Sequence, residues 1–268
     1  MRRPAVALAA ALLALMPGCA SVPNDPAARA AFRANNDSLE PMNRDVFAFN
    51  EVIDRSIIRP VAQGYVNVVP RAGRDAIYNV LKNLKEPIVF GNDMLQGEGR
   101  RAATTAGRFL LNTTVGVLGI WDFAGKHGLA RQTGDFGQTL HVWGVGEGPY
   151  LIVPIWGPTS PRDGIGLGVD VYLDPLRYVA ARYNYPSGVS AAEQVMAGID
   201  ERSRNLESLD ELKRESIDYY AAFRSLYRQH RKAEVERDTA PPPATDDMYS
   251  DPDSPAAPGG AAAKQGSS

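Results

Sequence analysis

The sequence predicts a mainly α protein, built from amphipathic helices around an irregular Gly/Pro-rich segment and held against a membrane. Three observations predict it. Apolar residues recur at three- and four-residue spacing over most of 37–114 and again over 191–237. Glycine and proline punctuate 115–168 too densely for long helices. The chain also opens with a short apolar run that ends at its only cysteine, Cys19.

The elements follow in order. Asp37-Ser38-Leu39-Glu40-Pro41 opens the first helix, with an acidic residue and a proline where a first turn tolerates them. Val46, Phe49, Ile53 and Ile57 then form one apolar stripe, and Pro60 is expected to stop the run. A second helix is expected from about Arg71, with Ile77, Val80, Leu81, Leu84 and Ile88 on one face and Pro87 kinking or ending it. A third spans Arg100 to about Thr114, where Ala103, Ala106, Phe109 and Leu110 share a face and Gly107 admits a neighbouring backbone. Between 115 and 168 only short helical turns and extended pieces such as 150–154 are expected, held by their surroundings, and an irregular stretch of this length is usually functional. Helix returns from about Ala191 to Arg237, in a register carried by Val195, Ile199, Leu206, Leu209, Leu212, Ile217, Tyr220, Phe223 and Tyr227.

The ends read differently from the middle. Arg2 and Arg3 precede an apolar run from Val6 to Met16, the pattern of a secretory signal. That run is too short to span a bilayer, which needs about 20 apolar residues. Met16-Pro17-Gly18-Cys19 resembles a lipobox, at which a bacterial precursor is acylated on the cysteine and cut before it. Leucine is usual where Met16 stands, and Pro17 is less usual; cleavage at a neighbouring non-cysteine position is the alternative. Ala20 follows, rather than the Asp that often retains such proteins in the inner membrane, so outer-membrane sorting is expected. A single cysteine provides no disulfide. The expected organisation is a signal peptide over 1–18, a lipidated tether over 19–36, a helical domain over 37–237 and a disordered tail over 238–268. In that tail Pro241, Pro242 and Pro243 lead into a stretch too poor in large apolar residues to offset its ordering entropy.

Composition and motifs exclude much. Twenty-nine basic and 31 acidic residues nearly cancel, so the basic footprint of a nucleic-acid binder is missing. Asp135-Phe136-Gly137 spells the magnesium motif of kinases without the catalytic loop and strand lysine that give it meaning. Gly144-Val145-Gly146-Glu147-Gly148-Pro149 resembles a phosphate loop, but lacks the dinucleotide spacing and the following Lys-Ser/Thr. His127, His141 and His230 are too scattered for a helical metal pair, and no second cysteine completes a zinc set. No Gly-x-Ser-x-Gly elbow marks an acyl hydrolase. The chain therefore reads as a non-enzyme without metal or cofactor. Phe47, Phe49, Trp121, Phe123, Trp143, Tyr150 and Trp156 have core packing as their ordinary role; the alternative is an aromatic belt at a lipid interface.

From Asp37-Ser38-Leu39-Glu40-Pro41-Met42-Asn43-Arg44 onward the chain resembles the MlaA (VacJ) family of outer-membrane phospholipid-transport lipoproteins. The likeness runs through Arg59-Pro60-Val61-Ala62, Asn83-Leu84-Lys85-Glu86-Pro87 and Gly107-Arg108-Phe109-Leu110-Leu111-Asn112-Thr113-Thr114. It is densest at Asp135-Phe136-Gly137-Gln138-Thr139-Leu140, Trp143-Gly144-Val145-Gly146, Gly148-Pro149-Tyr150 and Arg162-Asp163, and continues weakly to about residue 235. The resemblance implies a ring-like helical domain embedded in the inner leaflet of the outer membrane around a polar channel. It further implies that phospholipid misplaced in the outer leaflet passes through to a soluble periplasmic carrier, and that the protein associates with a trimeric porin. Arg162 and Asp163, a charged pair in an apolar region, are expected either beside that channel or in a local salt bridge. Two other functions compete: a porin-bound structural lipoprotein that transports nothing, and a lipid hydrolase.

Overall fold

A computed structural model describes residues 22, 24–186 and 188–236. The signal peptide, Cys19 and the 238–268 tail lie outside the described residues. The fold is mainly α, with one small hairpin.

Helix α1, Pro26–Asn35, occupies part of the stretch expected as tether. Helix α2, Glu40–Ile53, starts where expected, with Pro41 in its first turn. Pro60 does not stop it. A π-turn at Asp54–Ile58 passes straight into α3, Arg59–Val68, with helical backbone at Ile53, Ile58 and Arg59. A proline ring ordinarily collides with the carbonyl four residues back; a wide turn immediately before Pro60 gives the ring room.

Pro87 likewise fails to end its helix. It sits inside α4, Arg71–Leu95, which packs along α5, Gly99–Thr114. Neighbouring contacts hold the helix across the lost backbone bond. The Gly/Pro-rich stretch is more regular than expected. It carries α6, Phe123–Lys126; α7, Phe136–Val142; and the antiparallel pair β1, Leu151–Val153, with β2, Gly157–Thr159, in the register Ile152↔Pro158. Its end forms α8, Pro161–Tyr172. The caps explain these helices: the Asp135 side chain accepts from the Gln138 N–H, and Ser160 accepts from the Asp163 N–H with Pro161 next.

Helix α9, Pro175–Arg182, follows with Asp174 as its cap. The helical stretch expected over 191–237 is divided into three helices: α10, Val189–Arg204; α11, Leu206–Glu215; and α12, Tyr219–Glu236. The Asn205 and Ser216–Asp218 junctions turn the apolar register, which a single rod would have carried past its neighbours.

The helices close a ring. Helix α3 packs on α10, α10 on α4, α4 on α7, and α7 on α12. Helix α12 returns to α2, where Phe47 meets the rings of Tyr219, Tyr220 and Phe223. Tyr150, Ile152 and Tyr220 form the buried apolar cluster at this closure.

Candidate functional site

A polar interior

The interior of the ring is polar. Among the described residues, buried polar or charged side chains outnumber buried apolar ones. The predicted stripes turn inward only in part: Leu81 and Tyr220 are buried and Val46 packs on the closure cluster, while other members point outward. On α5 the buried line is Ala102, Thr105, Arg108 and Asn112, whereas Leu110 lies outside. Phe49 and Ile57 of the α2–α3 stripe are exposed as well.

Three networks hold this interior together. Arg108 is 1% exposed and bonds Glu86 at 3.1 Å and both oxygens of Asp122 at 3.0 and 3.1 Å. Burial works to raise the Asp122 pKa, but the Gly125 N–H, Asn112 and Arg108 overcome it and hold the carboxyl down at about 2. Glu86, which receives a single hydrogen bond while its Oε2 is buried without one, is pushed up by burial against the pull of Arg108. Asp93, fully buried, accepts from Thr105 at 2.9 Å and Arg101 at 3.2 Å. A chain of polar side chains then links α4 to α7: Gln96 donates to Thr139, and Thr139 donates to Asn92, both at 2.8 Å.

The third network contains the expected pair. Arg162 Nε donates to Asp163 Oδ1 at 3.0 Å, and both residues are buried. The pair is one corner of something larger. Arg231 of α12 donates to Asp163 at 2.8 and 3.1 Å and to Asp135 at 2.7 and 2.9 Å. Burial alone would raise both carboxyls, yet Arg231 holds both below the usual range. Two close approaches make room. A Cβ on Gly166 would collide with the Gly137 backbone, and one on Gly137 would meet Asp163 Oδ1 at 2.6 Å. Gly107, expected to admit a neighbouring backbone, faces only the Leu129 side chain at 3.8 Å. Arg231, Asp135 and Arg108 had no assigned role in the sequence. Only the capping position of Asp135 carried a signal.

An apolar exterior

The outside is the reverse. Trp121, Trp143 and Trp156 are 59%, 54% and 57% exposed. Core packing, their ordinary role, therefore holds for Tyr150 and Phe47 and fails for the tryptophans. Among the described residues no helix is long and apolar enough to cross a membrane. None of their His, Cys, Asp and Glu side chains group in a way that could hold a metal ion.

An apolar exterior around a charged, hydrogen-bonded interior is the inverse of a soluble domain. It marks a helical ring that carries large exposed apolar side chains outside and buried charge within.

The chain belongs to the MlaA lipoprotein family, whose model matches residues 35–234. It is 36% identical to the intermembrane phospholipid transport system lipoprotein MlaA of Haemophilus influenzae over 206 residues, 75% of this chain and 79% of that protein. Against the Escherichia coli protein of the same name the identity is 36% over 233 residues, 85% of this chain and 86% of that one. A solved structure described as the structural basis for maintenance of bacterial outer membrane lipid asymmetry superposes with a TM-score of 0.66. It is 37% identical, covering 74% of this chain and 98% of its own.

Proposed function

We propose that this chain is an outer-membrane lipoprotein, anchored through Cys19 on the periplasmic face, which removes mislocalised phospholipid from the outer leaflet. The lipid headgroup passes through the polar interior of the ring to a soluble periplasmic carrier, beside a trimeric porin, and lipid asymmetry is maintained. The chain is not an enzyme on this reading.

One observation carries it: buried charge on the inside and exposed tryptophan on the outside of the same ring. A headgroup crosses hydrocarbon only at high cost, because its charge loses water without gaining partners. A ring that is polar within supplies partners along the way, while its apolar rim keeps the acyl chains in lipid. No covalent bond need be made or broken. Irregular backbone at membrane depth is tolerated where protein or water satisfies it, which suits the 115–160 stretch as channel wall. Arg162 and Asp163 stand beside that path on this reading.

Deleting the gene and labelling surface-exposed aminophospholipid tests the function. Loss of the protein is expected to raise surface phospholipid, and an Asp163→Asn copy to restore asymmetry less fully than wild type. Unchanged surface lipid in the deletion strain would identify a passive porin-bound scaffold instead. Fatty acid released by the purified protein would identify a hydrolase.

A further inference from the structure

Between the start of α4 and the turn at 120–126 lies an open cleft of about 510 Å³, within the size range of small-ligand sites. Its floor is one face of α4, where Ala72, Asp75, Ala76 and Asn79 follow at helical spacing. The two alanines leave the volume open, and the two polar residues face into it. The opposite wall carries Trp121 and Lys126.

The chain leading into this wall takes an unusual backbone shape just before it. Val117, Leu118 and Gly119 have φ of 52°, 58° and 94°, a left-handed turn that is costly at two non-glycine residues. Hydrogen bonds from Gly119 N to Asn112 O at 2.8 Å and from Trp121 N to Gly116 O at 3.0 Å fix it. Strain of this kind clusters at functional sites, and here it sets the position of the neighbouring Ile120 and Trp121.

The charges facing the cleft are of both signs and are partly uncommitted. Both terminal nitrogens of Arg204 go to Asp75 Oδ1 at 3.3 Å, and the Asp75 side chain stays half exposed. Asn79 accepts from Arg131 through Oδ1, which leaves its Nδ2 to donate. Asp122 is taken by Arg108, Arg131 and Asn112. The Lys126 backbone N–H donates to Asp122 O at 3.3 Å, while its side-chain ammonium enters no hydrogen bond or ion pair with the described residues.

We infer that this cleft binds the phosphoethanolamine headgroup of a phospholipid, with Asp75 accepting from the primary ammonium and Lys126 and Asn79 donating to the phosphodiester. Trp121 and Ile120, exposed at the rim, border the acyl chains. The assignment rests on the phospholipid-transport reading and adds a headgroup preference to it. A head without an ammonium offers Asp75 no donor beyond Arg204, and an anionic head also meets its negative charge.

Calorimetric titration of the full chain in mild detergent tests this, with short-chain phosphatidylethanolamine, short-chain phosphatidylglycerol and inorganic phosphate as probes. Wild type is expected to favour phosphatidylethanolamine over phosphatidylglycerol by about tenfold, the scale of one charge-assisted hydrogen bond. Asp75→Asn should erase that preference without weakening phosphatidylglycerol. Lys126→Gln should weaken both lipids about tenfold. Ala76→Leu should fill the cleft and abolish both, with circular dichroism confirming the fold. A wild type without preference, an Asp75→Asn protein that keeps it, or inorganic phosphate binding as tightly as lipid would each overturn the assignment. Normal transport in cells carrying Asp75→Asn together with Lys126→Gln would dismiss the cleft and leave transport standing. A deletion strain with unchanged surface lipid would dismiss transport itself.

Discussion

Arg231 lies between Asp135 and Asp163, donating two hydrogen bonds to each at 2.7–3.1 Å. Asp135 caps α7 and Asp163 sits in the first turn of α8, so one guanidinium fastens two helix starts to the last helix. Arginine suits this position because its planar fork serves two carboxylates at once.

Removing that fork leaves two carboxylates without their shared partner. Arg231→Ala is expected to lower unfolding free energy by about 3–5 kcal/mol, the cost of breaking a buried ion pair from one side. Arg231→Lys should recover only part of it. Thermal and chemical denaturation in detergent would measure both. Equal stability of Arg231→Ala and wild type would show that the cluster does not hold α12.

The contact of α7 with α8 leaves no room for a side chain at its centre. Gly166→Ala is expected to destabilise by about 1–3 kcal/mol through overpacking, because the new methyl would collide with the Gly137 backbone. Gly107→Ala, with only a leucine side chain at 3.8 Å, should be tolerated. Melting temperatures of the two variants check the contrast. A harmless Gly166→Ala would mean that the two helices separate easily.

Asp122 and Glu86 flank Arg108 with opposite pH signatures. The Asp122 pKa falls from 3.8 to about 2 on folding, so its stabilisation is complete above the unfolded value and is lost as pH drops through about 2. Glu86 is raised by burial, so it contributes in the other direction, favouring the folded state as pH falls toward its unfolded value. Asp122→Asn should flatten the loss of stability between roughly pH 4 and 2. Glu86→Gln should cost less than Asp122→Asn at neutral pH. Denaturation curves across that range would read both, and an unchanged acid slope in Asp122→Asn would refute the assignment.

The exposed tryptophans should touch lipid. Single-tryptophan proteins retaining only Trp121, Trp143 or Trp156 are expected to show blue-shifted emission on reconstitution and quenching by brominated acyl chains. Trp143, whose indole donates to Leu95 O at 3.2 Å, should shift least. Water-like emission from all three would place the apolar exterior against protein or water rather than acyl chains.

Much of the secondary structure was legible because caps and spacing are local. The Pro41 start announced its helix, whereas the caps at Asp135 and Ser160-Pro161, equally local, were masked by the surrounding glycines and prolines. The direction of the α5 stripe was not legible. Periodicity identifies residues that share a face, and the usual inference that the apolar face turns inward assumes water outside. Leu110 and Arg108 lie two apart on α5, and it is Arg108 that is buried. The interior partners were hidden for another reason. Arg231 stands 96 residues from Asp135 and 68 from Asp163, and no short pattern encodes such a meeting. Pro60 misled because the π-turn that accommodates it has no sequence mark.

Asp37, the residue at which the chain enters the ring, is fully buried and accepts from both Tyr220 and Arg224 of α12. The entry and the exit of the fold are thus riveted to each other rather than to opposite sides of it. Tension arriving along the chain from before residue 36 meets Asn36 first, whose Nδ2 donates to Gly148 O at 2.6 Å and whose O accepts from Tyr150 N at 2.8 Å, and then this rivet, as shear between α12 and the start of α2. The remainder of the ring is mechanically downstream. A pull on the preceding chain is thus shared between the 148–150 turn and α12 before it reaches the rest of the ring.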